Sequence, residues 1–257
     1  MSLHFDNIVY GPIKSRRLGN SLGVNLLPKH GKLCSFDCVY CECGWNKDGR
    51  KDSQLPSLEE VREALKAGLE HCKSSNIQID TITFSGNGEP TIHPDFPEII
   101  DYVITLRDKL FPQAKISSFS NCTQLHRPGI KEALAKTDNP ILKLDSGIES
   151  IAELIDRPQS NYSIEDIVEQ LKWFKGNFVL QTMFLKGEIN GRFIDCTDPE
   201  TAAPWVKIVL ELHPREVMIY TLDRVPPLST LEKVTVELMR AVSQPLIDAG
   251  IKVQIRG

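Results

Sequence analysis

Apolar positions along the chain fall into short dense runs that take turns with longer, helically spaced sets, the pattern of strands alternating with helices. Residues 7–13 read as a short strand and turn, and 21–27 (S-L-G-V-N-L-L) as a strand ended by Pro28. Ser57-Leu58-Glu59-Glu60 places a serine three residues ahead of a glutamate, a capping box that opens a helix carrying Val61, Leu65 and Leu69. Strand-like runs recur at 77–84, 115–119, 141–144, 178–185 and 216–221, with a short terminal one at 252–255. Helical spacing covers about 95–110, 129–136, 148–156, 164–174 and 230–248. A further helix to about Leu212 starts where Asp198 caps and Pro199 takes the first turn. Residues 187–197 read as a long polar loop.

This β(αβ) order predicts a mainly parallel sheet with helices on its outside. Six such units fall short of the eight that close a full barrel. The count fits an incomplete (β/α)6 parallel barrel, a partial TIM barrel, and fits an open doubly wound sheet equally well. In either architecture the chemistry belongs at the carboxyl ends of the strands, where the polar clusters of this chain fall. No linker divides the sequence, so one domain is expected over 1–257, with a strand and turn at 1–20 ahead of the barrel.

Composition narrows the partners. With 41% hydrophobic residues a proper core is available, and a net charge of −4 gives no bulk basic field. Nucleic acid would need a local basic patch. Residues 1–10 lack the apolar core of a secretory signal, and no apolar run approaches the ~18 residues needed to cross a bilayer. We therefore expect a cytoplasmic protein with no membrane partner. Seven cysteines in a chain of 257 residues are too sparse for a disulfide scaffold, yet three crowd together, which points to a reducing compartment and a metal.

Those three are Cys34, Cys38 and Cys41, in the stretch L-C-S-F-D-C-V-Y-C-E-C directly after the strand at 21–27. Thiolates are soft ligands that favour zinc, copper(I) or iron–sulfur clusters. A four-iron cluster usually takes four cysteines, so three would leave one iron open to a small molecule. Cys43 supplies a fourth nearby thiol, and a structural zinc site in a binding protein without redox chemistry is the alternative. The six histidines show no ligand spacing.

The C-x3-C-x2-C spacing, with Tyr40 just before the third cysteine, resembles the radical S-adenosylmethionine (SAM) superfamily. The resemblance extends over nearly the whole chain. It implies a [4Fe–4S] cluster on Cys34, Cys38 and Cys41, with the amino acid end of SAM on the open iron. Cys43 is then a spare thiol. Gly86-Asn87-Gly88-Glu89-Pro90 is similar to the family's Gly-Gly-Glu-Pro element, with Asn87 inserted between the glycines. There Gly86 and Gly88 would let the backbone approach SAM, and Glu89 would meet its ammonium. Ser118, Ser120 and Asn121 have the chemistry for ribose or carboxylate oxygens, or for an ordinary turn. Cys122 stands where relatives often carry glycine, which leaves room for a different local backbone. Lys143 and Asp145, two apart on a strand, face the same side and form either an ion pair or a contact to SAM or substrate. Backbone groups around Thr221 bind adenine in relatives, and Tyr40 offers its ring. Arg16, Arg17 and Arg224, with Asp223 beside the last, are the substrate-side residues, the guanidinium groups for anionic groups or for surface ion pairs.

More narrowly, the runs G-P-I-K-S-R-R-L-G-N-S-L-G-V-N, L-K-L-D and Y-T-L-D-R resemble a small branch of radical SAM proteins similar to the wyosine-forming tRNA enzymes. The implied reaction is reductive cleavage of SAM to a 5′-deoxyadenosyl radical that abstracts hydrogen from a substrate. An electron donor such as flavodoxin or ferredoxin is implied with it. No second cysteine set or appended domain is evident, so the substrate is expected to close the mouth itself: a protein, peptide or tRNA. Activation of a glycyl radical partner is a further alternative.

Overall fold

The computed structural model describes residues 4–15, 17–49 and 52–257. Its larger sheet takes strands in the order β1 (Val9–Ser15), β2 (Gly19–Val24), β3 (Thr81–Phe84), β4 (Lys115–Ser120), β5 (Asn139–Lys143), β6 (Val179–Met183), β9 (Glu216–Tyr220) and β11 (Lys252–Arg256). β1 pairs antiparallel with β2, and every later pair is parallel. The order advances in one direction without reversing. A doubly wound sheet would reverse at a switch point, so the sheet curls into a half-barrel instead. Among the described residues the parallel strands number seven, one beyond the six units read from the sequence, because β11 adds itself to β9.

The crossovers are helices. α1 (Leu58–Ser74), α2 (Phe96–Leu110), α3 (Ile130–Lys136), α4 (Glu149–Asp156), α5 (Ile164–Lys172), α6 (Pro199–Leu212) and α7 (Val236–Asp248) follow the strands in turn. The expected capping box is present: Glu60 N donates to Ser57 Oγ (3.3 Å) and Ser57 N to Glu60 Oε2 (2.7 Å). Asp198 caps α6 by accepting from Glu200 N at 3.1 Å.

Strand alternation sorts the sheet into two faces. Leu22, Val24, Ile82, Phe84, Leu142, Leu180, Val217 and Ile219 join the helices in one continuous apolar cluster outside the barrel. Inside, the lower half is closed by paired hydroxyls, Ser21 with Thr83 (2.7 Å) and Thr81 with Ser117 (3.1 Å). A small apolar group of Ile141, Val179 and Met218 lies beside them. Buried hydroxyls without partners would cost stability, and pairing across strands removes that cost. What remains open is the carboxyl end.

The polar stretch at 187–197 is not a loop. β7 (Leu185–Ile189) and β8 (Arg192–Asp195) form a hairpin, and β10 (Leu231–Lys233) pairs with β7 to complete a three-stranded sheet. Its turn is Asn190-Gly191, both at positive φ, the pair that a two-residue hairpin turn favours. The last helix accordingly starts at Val236 rather than near 230, where the chain is still in β10.

Trp205 on α6 fastens the outer layer to the sheet, its Nε1 donating to Leu144 O (3.0 Å) and Thr182 Oγ1 (3.1 Å). Trp205→Phe is expected to lower unfolding free energy by about 1–3 kcal/mol, read from the urea midpoint. An unchanged midpoint would show that these bonds contribute nothing net.

Candidate active site at the carboxyl ends of the strands

The cysteine loop is held from two sides. On one side Leu33 N donates to Asn87 O (2.8 Å) and Glu89 N to Leu33 O (3.3 Å). This approach requires Gly88: its φ is +141°, and a Cβ there would lie 1.8 Å from Leu33 O. On the other side Asp37 N donates to Asp156 O, Val39 N to Ile155 O and Gln159 N to Ser35 O, each at 2.9 Å. Asn46 Nδ2 ties the loop to itself through Cys34 O (3.0 Å) and Phe36 O (3.1 Å).

Asn87, the insertion between the glycines, is a clasp. Its Nδ2 donates to Phe5 O (2.9 Å) and Pro28 O (2.8 Å), and its Oδ1 accepts from Phe5 N (2.9 Å). Its backbone N donates to Asn25 Oδ1 at 3.1 Å. The segment leading into the cysteine loop is thereby locked to the end of β3.

Cys34, Cys38 and Cys41 are free thiols on the wall of a cavity of about 510 Å³. Two ammonium groups flank them. The Lys32 side chain is 1% exposed and donates to Asp37 Oδ1 (3.1 Å) and Gly44 O (3.2 Å). Burial disfavours its charge, but the three sulfurs and Asp37 outweigh burial and hold it protonated. Lys143 lies 3.3 Å from Cys38 Sγ and 2.9 Å from Asp145 Oδ2, and pairs closely with Asp156. Burial opposes its charge as well, and Asp145 and Asp156 override it. Tyr40 donates its hydroxyl to Asp145.

The thiols respond in different ways. Burial pushes Cys34 up to about 12 against the pull of Lys32, and pushes Cys38 up against Lys143. Cys41 is drawn down to about 6, chiefly by a hydrogen bond from Cys43, with Lys32 helping against burial. Cys43 is buried, its single S–H having Gly86 O (3.3 Å) and Cys41 as alternative acceptors. Metal binding deprotonates such thiols, and the two ammonium groups are placed to balance the charge that follows. Among the described residues, no three His, Cys, Asp or Glu side chains converge on one ion position. A structural zinc site needs four around a single ion, whereas a four-iron cluster gives each thiolate an iron of its own.

The structure gathers most of the residues singled out in the sequence. Tyr40, Gly86, Gly88 and Glu89 line the cavity with the cysteines, as do Ser120, Asn121, Lys143 and Thr221. Arg17, Asp223 and Arg224 line it too, and Arg224 pairs with Glu42. Glu89 is buried and oriented: Oε1 accepts from Thr91 N (3.2 Å) and Oε2 from Asn121 N (2.6 Å). Burial pushes its carboxyl up against those bonds. Asn121 Nδ2 reaches Ser35 Oγ at 2.9 Å and lies 3.6 Å from Cys34 Sγ. Thr221 Oγ1 accepts from Val234 N at 2.9 Å.

Four expectations need correction or limits. Ser118 is buried and, by alternation with Phe119, turns to the helix side of β4, away from the cavity. Asp145 does not line the cavity and is bonded instead to three residues that do, Tyr40, Lys143 and Met183. Cys122 keeps a left-handed backbone at φ +70°, the region glycine enters freely, so the substitution does not change the turn. Arg16 lies outside the described residues. The sequence reading missed Lys32, Asn46 and Asp156. Lys32 stands two residues before the first cysteine, and that closeness was the available signal. Asp156 comes from the end of α4, and nothing local marks it.

A family model described as the radical SAM superfamily matches residues 29–196. GTPase Obg of Brachyspira hyodysenteriae is 31% identical over 221 residues, 84% of this chain and 30% of that protein. A UPF0026 protein of Helicobacter pylori is 31% identical over 183 residues, 70% of this chain and 57% of that protein. This chain thus spans well under two thirds of the length of either relative. Among solved structures, Streptococcus suis SuiB bound to its precursor peptide SuiA superposes with a TM-score of 0.65 at 14% identity, covering 91% of this chain and 48% of that one. Archaeal TYW1 superposes with a TM-score of 0.52 at 13% identity, covering 89% and 71%. At such identities the shared property is the fold.

Gly88→Ala is expected to cost at least about 3 kcal/mol of stability and to sharply reduce iron uptake on anaerobic reconstitution. Iron uptake equal to that of the unmodified chain would show that the Leu33–Gly88 approach does not place the loop.

Proposed function

The chain belongs to the radical SAM superfamily, and from that premise we propose that Cys34, Cys38 and Cys41 hold its [4Fe–4S] cluster and that SAM binds beside it in the same cavity. The observation that carries this assignment is the pair of buried ammonium groups, Lys32 and Lys143, set against three free thiols. When bound, the two cofactors supply one-electron reductive cleavage of the sulfonium and, with it, abstraction of a hydrogen atom from the substrate.

The chain's own groups bind, orient and tune. Glu89, fixed by Thr91 and Asn121, presents a carboxylate to the SAM ammonium. Gly86 and Gly88 let the backbone come close. Ser120 and Asn121 meet ribose or carboxylate oxygens. Tyr40 and the backbone at Thr221 flank the adenine. Asp145 is a positioning residue, holding Tyr40 with one bond and Lys143 with another. Lys143 donates toward Cys38, and a cation there stabilises the more negative, reduced cluster. Arg17, Asp223 and Arg224 face the substrate. The electron comes from a flavodoxin or ferredoxin, and the substrate is a macromolecule, a protein, peptide or tRNA, that covers the mouth.

Anaerobic reconstitution with SAM and dithionite is expected to release 5′-deoxyadenosine. Replacing Cys34, Cys38 or Cys41 by alanine should abolish release, while Cys43→Ala retains the cluster. Undiminished release from a variant lacking all three would overturn the assignment. Lys143→Met should move the cluster potential negative by on the order of 60 mV, a tenfold change in a one-electron equilibrium, measured by spectroelectrochemical titration. An unmoved potential would remove Lys143 from this role.

A further inference from the structure

We propose that Arg17 anchors a carboxylate of the substrate, its guanidinium held between the rings of Phe119 and Tyr220. This deepens the reading above and rests on it, since that reading gives the rest of the cavity to cluster and SAM.

The Arg17 Cζ lies 4.9 Å from the centre of the Tyr220 ring and 5.8 Å from that of Phe119. Its Nη1 is shut off from solvent and has no hydrogen-bond partner. Among the described residues, no carboxylate pairs with Arg17. Lys143 is matched by Asp145 and Asp156 and Arg224 by Glu42, while Lys14 and Arg256 on the same cavity wall are exposed to water. Buried charge is normally paired, and Arg17 has only two aromatic faces. Those faces offset part of its desolvation and fix the plane of the fork. The Arg17 side chain lines the same cavity as the cysteine loop.

The chemistry of the missing partner follows. A planar guanidinium takes a carboxylate through two parallel bonds. The same cavity wall carries the apolar side chains of Phe119, Met183 and Leu222, with Ile141, Val179 and Met218 buried below it. Such a wall suits the short aliphatic stem of an acid. A phosphate backbone would be met by the exposed cations Lys14, Arg224 and Arg256 that also line the cavity, whereas Arg17 is half-buried against two rings and suits a single planar anion. The carboxylate belongs either to an acidic residue of a peptide or to a small free acid.

The test is titration of the anaerobically reconstituted, SAM-loaded protein, followed by ligand-observed nuclear magnetic resonance. The probes are the blocked tripeptides Ala-Glu-Ala and Ala-Gln-Ala, glutarate and inorganic phosphate. The Glu tripeptide or glutarate should bind, the Gln tripeptide should not, and Arg17→Met should weaken the carboxylate probes by at least about tenfold. Arg17→Lys should fall between. Preference for the Glu tripeptide identifies a peptide source, and preference for glutarate a small acid. Equal binding of the Glu and Gln tripeptides overturns the proposal without need of any variant. Tighter binding of phosphate than of both carboxylate probes, or carboxylate binding unaffected by Arg17→Met, also overturns it. Visible cluster absorbance recorded on each sample keeps the two readings separate: a colourless protein sinks the cluster assignment, whereas a coloured protein blind to carboxylates sinks only this one.

Discussion

Sulfur atoms that must become anions are gathered where water is scarce, and the balance of that charge is the constraint on which this molecule turns. Burial alone would keep Cys34 and Cys38 as neutral thiols. Two ammonium groups oppose it, and each is held in turn: Lys32 by Asp37 and Gly44, Lys143 by Asp145 and Asp156. The resulting chain of alternating charge links the loop itself, the end of β5 and the end of α4. Leaving any one member uncompensated would be costly in so shielded a place.

The half-barrel is what makes that network geometrically available. Its parallel strands all end on one rim, so groups far apart in sequence arrive at neighbouring positions there. Below the rim the interior is filled by hydroxyl pairs and a small apolar group. The cavity is confined to the top as a result. Entry of the chain into the loop is fixed by Asn87, and the close approach at Gly88 sets its depth. The exposed cations Lys14 and Arg256 line the same cavity from the two edge strands, β1 and β11.

Sequence alone carried the order of elements, the capping box at Ser57 and the thiol trio, because each depends on residues close together in the chain. It could not choose between a curled and a doubly wound sheet, since strand counts are the same and only the pairing order differs. The hairpin at 185–195 hid because most of its outward side chains, Lys186, Glu188 and Arg192, are charged, although Asn190-Gly191 carried the turn signal. Ser118 was misassigned because residue type, rather than strand alternation, was followed. Spacing put Lys143 and Asp145 on one side of the strand and left an ion pair and a ligand contact both open; in the fold they lie 2.9 Å apart. Their third member, Asp156, is set by how α4 packs and has no local signature. Asn87 was legible only as an insertion between two glycines, because its bonds to Phe5, Pro28 and Asn25 join segments distant in sequence.

Mössbauer spectroscopy of protein reconstituted with the active iron isotope, before and after adding SAM, addresses the central claim most directly. Three thiolates on a four-iron cluster make one iron unlike the others. The account predicts that SAM shifts the signal of that iron alone and leaves the rest unchanged. A spectrum that SAM does not alter, or a preparation that retains no iron, would contradict it.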